Sequence, residues 1–118
     1  MYQLTFSDQS MSEINKLGTF DQMKLIDELS GITPERLGTD RSAIGVIHRE
    51  GKTFYRLRVE DFRLYFEIQE KDTVLFCHYV LHKHSLADFV FRTKLPFTEE
   101  QQIEQDQSFW RYLDSLKK

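Results

Sequence analysis

The 118-residue sequence has a single cysteine, Cys77, which excludes a disulfide within the chain. It has only two prolines and five glycines, too few for a collagen-like or Pro/Gly-rich disordered chain. No apolar run nears the length of about 18 residues that reads as a membrane helix, and the opening MYQLTFSDQS has no basic stretch leading into an apolar one. A cytoplasmic protein with no membrane segment is therefore expected. CxxC, HExxH, GxGxxG and Walker patterns are all missing, so no metal ion and no small-molecule cofactor is expected. Also missing is the basic excess usual in nucleic-acid-binding domains, since the net charge is −3.

Apolar residues make up 40 % of the chain and aromatics 14 %, with ten Phe, a composition that builds a core in one domain without staples. Charge is unevenly spread. Residues 1–40 carry a net −4, residues 41–95 a net +3 and residues 96–118 a net −2, so a basic middle lies between acidic flanks. That middle reads as successive strands. In Phe54 to Glu60, Tyr55, Leu57 and Val59 alternate with Phe54, Arg56, Arg58 and Glu60. In Phe62 to Ile68, Phe62, Leu64, Phe66 and Ile68 alternate with Arg63, Tyr65 and Glu67. Two such strands side by side align Arg56, Arg58 and Arg63 on one exposed surface. Thr73 to Leu81 is almost wholly apolar, as in a central strand covered on both faces, and Cys77 and His78 inside it read as packing residues, as does His48. Ala43 to His48 is a further strand, followed by the turn Arg49-Glu50-Gly51-Lys52. The Glu60-Asp61 connection lacks the glycine of a two-residue hairpin and suggests a longer loop or a bulge.

Before this sheet, Met1 to Phe6 alternates as a short strand. Met11, Ile14 and Leu17, and then Met23, Ile26 and Leu29, have helical spacing, with Gly18 and Gly31 as stops and Thr19 to Gln22 in the form of a capping box. The result is a helical hairpin made to lie on the sheet, followed by a turn-rich connector with a helical turn after Pro34. Beyond the sheet, Leu86, Phe89 and Val90 fit a helix, while VFR fits a short returning strand equally well. After Pro96 another capping box, Thr98 to Gln101, opens a tail with Ile103, Trp110 and Leu113 as its apolar stripe. The expected fold is α+β: two N-terminal helices packed on a mainly antiparallel sheet of four to five strands, plus a C-terminal helix. Residues 1–95 form the domain and residues 96–118 a helical extension.

The residues with chemistry to offer are Arg56, Arg58 and Arg63 together with His82, Lys83 and His84. Planar, permanently charged guanidinium groups suit phosphates, and histidine or lysine can move the protons when a 2′-hydroxyl attacks its own phosphodiester, with no cofactor required. The same alternation also describes an ordinary solvated face, in which cross-strand pairs of Arg56 or Arg58 with Glu67 contribute under about 1 kcal/mol each. His82 and His84 lack a third metal ligand.

The order strand, two helices, compact sheet, with the phrases FYRLRVEDFRLYFEI and VLFCHYVLHKHSLADF, resembles the RelE/ParE toxin superfamily over about residues 1–93. The resemblance implies the fold above and one of two activities: metal-independent cleavage of messenger RNA on the ribosome, or, in ParE-type members, gyrase inhibition. It assigns catalytic roles to Arg58, Arg63, His82, Lys83 and His84 and RNA contacts to Arg49, Lys52, Arg56 and Arg92. Phe89 or Phe91 falls where the family often has Tyr, and Glu60 where it has the turn Gly. Expected partners are mRNA or the ribosome, and an antitoxin or other protein. The alternative function is that of a non-catalytic regulator or adaptor that keeps the fold. The acidic run Glu99, Glu100, Glu104 and Asp106 is also expected to lie across the basic sheet, as antitoxin segments cover the toxin site in this family, unless the tail packs elsewhere through its apolar stripe.

Overall fold

The computed structural model describes residues 2–93 and 100–116. In chain order they form β1 (Gln3–Phe6), α1 (Asp8–Asn15), α2 (Thr19–Ser30), α3 (Pro34–Thr39), β2 (Ile44–Arg49), β3 (Lys52–Val59), β4 (Phe62–Gln69), β5 (Val74–His82), α4 (Lys83–Thr93), α5 (Glu100–Gln105) and α6 (Gln107–Ser115). One five-stranded sheet runs β1-β5-β4-β3-β2, antiparallel except where β1 pairs parallel to β5. The α+β class and the sheet match expectation. The ambiguous VFR belongs to α4, and the capping box starting at Thr98 lies outside the described residues.

Two cores sit on opposite faces of the sheet. On one, α1 and α2 cover Leu57, Val59, Leu64, Phe66, Leu75, Cys77 and Val80 with Ile14, Leu25 and Leu29. The helix phase differs from the expected stripe. α2 buries the i,i+4 pair Leu25 and Leu29, which leaves Met23 and Ile26 exposed, and α1 exposes Met11. The capping box at Thr19 is not formed either: Gly18 is the N-cap, and the Gln22 amide donates instead to the Leu17 carbonyl at 3.0 Å. On the other face, Ile47, Phe54, Tyr65, Tyr79 and Leu81 are buried with Leu86, Phe89, Ile103, Phe109, Trp110 and Leu113 from α4, α5 and α6. β5 is therefore covered on both sides, as its apolar run requires.

β1 reaches only to the Phe6–Cys77 pair, so β5 loses its ladder partner beyond that point. The first turn of α1 takes its place. The Ser7 and Ser10 hydroxyls donate to the carbonyls of His78 and Cys77 at 2.5 and 3.0 Å, and the Gln9 amide both donates to and accepts from the Val80 backbone at 3.1 and 3.0 Å. These polar side chains satisfy backbone groups that would otherwise be buried without partners.

The β3–β4 connection is a tight two-residue turn rather than a longer loop, since Val59 pairs directly with Phe62. Glu60 supplies the left-handed backbone there (φ 52°) where glycine would cost nothing, and its carboxylate pairs with Lys24 of α2.

Candidate functional site

Strand register puts Arg58 opposite Arg63 and Arg56 opposite Tyr65, so the three arginines share one face of β3 and β4 as expected. They are not all exposed. Arg58 is open to solvent, but Arg56 is 4 % and Arg63 8 % exposed. The cause is the second core, because helices α4 to α6 lie over the face that alternation alone leaves to solvent. Phe54 and Tyr65, on the same face, are buried by it too.

A polar knot lies under these helices. Glu104 of α5, 1 % exposed, accepts a hydrogen bond from the Tyr65 hydroxyl at 2.9 Å, and its Oε2 lies 3.4 Å from Arg56 Nε. The Glu104 carbonyl accepts from Trp110 Nε1 at 2.7 Å, which ties α5 to α6. The Arg56 guanidinium lies across Gly45 of β2, where a side chain would place its Cβ 2.9 Å from Arg56 Cζ. The acidic tail thus does cross the basic sheet, through Glu104, and its apolar stripe packs on the same face. Glu99 and the Glu100 side chain lie outside what is described, and Asp106 caps α6 by accepting from the Ser108 amide.

The remaining candidates gather at the end of the sheet where β3 turns into β4 and β5 ends. Arg63 Nη1 donates to the carbonyls of Glu60 and Phe62, both at 2.9 Å, and so braces the turn. Lys83 pairs with Asp61 at 3.1 Å, and this contact holds the Asp61 carboxyl below its ordinary range. The His82 and His84 rings stack at 4.7 Å, and His82 sits edge-on to Phe62. His82 lines a small cleft of about 80 Å³ with Gln9, Glu13 and Leu17 of the α1 side, so it faces away from the arginines. His82 and the arginines therefore share an end of the sheet but not a face. Phe89 is buried against Phe109 and Tyr112, while the Phe91 and Arg92 side chains lie outside those described. Arg49 and Lys52 are at the far end of β3. There Arg49 lies over the Trp110 ring at 4.8 Å and 4.0 Å from Asp114.

His78 packs as its apolar run implies, and it also makes a polar contact that the run does not announce. A bulge in β5, where Tyr65 pairs with Tyr79 but Phe66 with Cys77, inserts His78 as an extra residue. Its ring packs on Phe54 and Phe76, and Nε2 is 3.0 Å from the Glu67 carboxylate, which also accepts from Gln69 at 2.7 Å. The pair lines a cleft of about 170 Å³ with Arg49, Lys52 and Asp114. Partial burial works to raise the Glu67 pKa, but the bonds from His78 and Gln69 outweigh it and the net shift is downward from 4.5. A carboxylate with a lowered folded-state pKa adds stability above its unfolded pKa and loses it as pH falls through the folded value. Glu67→Gln is therefore expected to cost stability at pH 7 and to approach the parent below pH 4.5, as checked by urea unfolding at several pH values. Neighbouring Cys77 is fully buried, with its thiol pushed up to about 12, and is no nucleophile.

No family model matches the sequence, and comparison with curated proteins finds no match. Solved structures do match. The archaeal RelE–RelB complex from Pyrococcus horikoshii OT3 superposes with a TM-score of 0.57 at 15 % identity, over 70 % of this chain and 94 % of the other. The Mycobacterium tuberculosis toxin–antitoxin complex RelBE2 gives 0.52 at 17 %, over 69 % and 96 %. The chain has a RelE-like fold. At these identities the likeness concerns the fold, and the RelE-like sheet is the frame on which the covered arginine face and the Arg58–Lys83 end are carried.

Proposed function

We propose that this RelE-like protein acts on translation by binding RNA or the ribosome, with Arg58 and Lys83 as contacts to phosphate and Arg63 bracing the turn between them. The observation that carries this reading is the exposed Arg58 beside Arg63, at the same sheet end as Lys83 and His84. Guanidinium and ammonium groups fixed on strand ends suit a phosphate backbone. Metal-independent cleavage of mRNA is the finer form of the proposal and assigns proton transfer to His82, Lys83 or His84. An antitoxin-like protein is the proposed partner, by analogy with the complexes of similar fold.

The second reading, a non-catalytic adaptor, is favoured by the burial of Arg56 and Arg63. Binding to a labelled single-stranded RNA and co-sedimentation with ribosomes test the first. Arg58→Ala is expected to weaken binding and to flatten the dependence of log affinity on log salt by about 1, the mark of one lost phosphate contact. Binding with an unchanged salt slope, or none to RNA or ribosomes, would count for the adaptor. Growth arrest on induced expression, relieved by Arg58→Ala with Arg63→Ala, separates cleavage or ribosome blockade from simple binding.

A further inference from the structure

A buried guanidinium, a tyrosine hydroxyl and a glycine that leaves room for them make an anion receptor, and here the receptor is filled by the chain's own Glu104. Arg56 and Tyr65 both address the Glu104 carboxylate, and Gly45 clears space for the guanidinium that a side chain would close. A carboxylate and a phosphate share the geometry that such donors read. We propose that the Arg56–Tyr65–Gly45 pocket is a phosphate-binding site for single-stranded RNA that Glu104 occupies as an internal stand-in, so that α5 and α6 hold the site closed. The proposal rests on the RNA-binding reading above and names how that face is regulated.

The closed form dominates for a physical reason. Glu104 comes to the pocket on a segment that also buries Ile103, Phe109, Trp110 and Leu113 against Phe54 and Tyr65. An incoming phosphate must compete with the carboxylate and with this apolar seam together. RNA that reaches only the exposed Arg58 leaves the seam intact. RNA that takes the pocket must lift α5 and α6, and the two outcomes differ in the protection of backbone amides.

The test uses the full chain with a short fluorescein-labelled single-stranded RNA, by fluorescence anisotropy and by hydrogen exchange. Glu104→Gln removes the competing charge and nearly keeps the shape. Its affinity for RNA is expected to rise about tenfold or more, the scale of one contact to a charged group, and Arg56→Ala added to it is expected to abolish the gain. In the parent protein, millimolar RNA is expected to speed exchange over residues 100–116 while β3 to β5 stay protected. Folded Glu104→Gln with unchanged affinity, or parent protein that binds RNA with those amides still protected, overturns the proposal. Should Glu104→Gln fail to fold, the exchange measurement on the parent decides alone, and protection unchanged at millimolar RNA counts against the site. Loss of binding in Arg58→Ala with α5 and α6 unmoved defeats this inference but keeps the RNA-binding reading. Glu104→Gln whose tail amides exchange freely while RNA still fails to bind defeats that reading instead.

Discussion

Glu104→Ala is expected to lower the unfolding free energy by about 3–5 kcal/mol, a large part of the stability of a domain this size. The reason is what remains. With the carboxylate gone, Arg56 stays 4 % exposed with its charge uncompensated by Glu104, and the Tyr65 hydroxyl, inside a side chain with no exposed surface, loses its acceptor. Removing one partner of a buried pair costs far more than the pair contributes, because desolvation has already been incurred and the Coulombic return disappears. Replacing both charges, as in Arg56→Met with Glu104→Gln, whose amide oxygen can still accept from Tyr65, is therefore expected to restore much of the loss, whereas Arg56→Met alone, which takes the guanidinium from a buried carboxylate, is not. Equilibrium urea unfolding with a constant slope checks this. A cost under about 1 kcal/mol for Glu104→Ala would mean that water reaches the pair and that the tail is a surface arm rather than half of a core.

Much of the fold was legible because period-two alternation and helical spacing are local signals. As the alternation requires, β3 and β4 send Tyr55, Leu57, Val59, Phe62, Leu64 and Phe66 to one core and Phe54 and Tyr65 to the other, and the apolar run of β5 correctly announced a strand covered twice. What alternation cannot say is whether a polar face meets water. Arg56, Tyr65 and Arg63 are spaced like an exposed face, and only the later helices, some forty residues on for Glu104, decide that they are buried. The clue was available in pieces: Phe54 and Tyr65 on the same face as the arginines, the Ile103, Trp110 and Leu113 stripe with no other surface to cover, and acidic residues in the same tail. The contact of His78 with Glu67 was illegible for another reason. A bulge shifts the alternation by one, and nothing in VLFCHYVL marks where the extra residue sits. The phase of α2 was misread because Met23, Ile26 and Leu29 repeat at three, whereas the buried pair is Leu25 and Leu29 at four.

The placement of the candidate groups bears on what this sheet can do. Four groups that suit RNA chemistry, Arg58, Arg63, Lys83 and His84, lie near one turn, but Arg63 is spent on two backbone carbonyls and Lys83 on Asp61. General acid–base catalysis needs groups that converge on one reacting phosphate, and His82 opens toward α1 instead. Phosphate binding asks less, since it requires only charge presented along an edge. A phosphate contact at Arg58 thus asks for no convergence of groups, whereas acid–base work by His82 on a phosphate held by the arginines is not set up by this arrangement.

Gly45→Ala tests the same knot from below. A methyl at position 45 meets the Arg56 guanidinium, 2.9 Å from Cζ, so either the arginine leaves Glu104 or β2 shifts. In an open site the far end of an arginine would swing aside at little cost. Here it is buried against the Glu104 carboxylate, 3.4 Å from Nε, and overpacking of this kind costs about 1–3 kcal/mol. Alanine is otherwise no worse than glycine in a strand, and its smaller backbone entropy loss favours the variant by about 0.5–1 kcal/mol. The sign therefore depends on Arg56 alone, and a double-mutant cycle isolates it. In an Arg56→Ala background, Gly45→Ala is expected to be neutral or stabilising, with a coupling energy of about 1–3 kcal/mol between the two positions. Additive effects would show that the guanidinium is free to move and that the pocket is not built around it. Coupling of the expected size would show that the glycine's missing side chain is part of the receptor, as much as the charge that fills it.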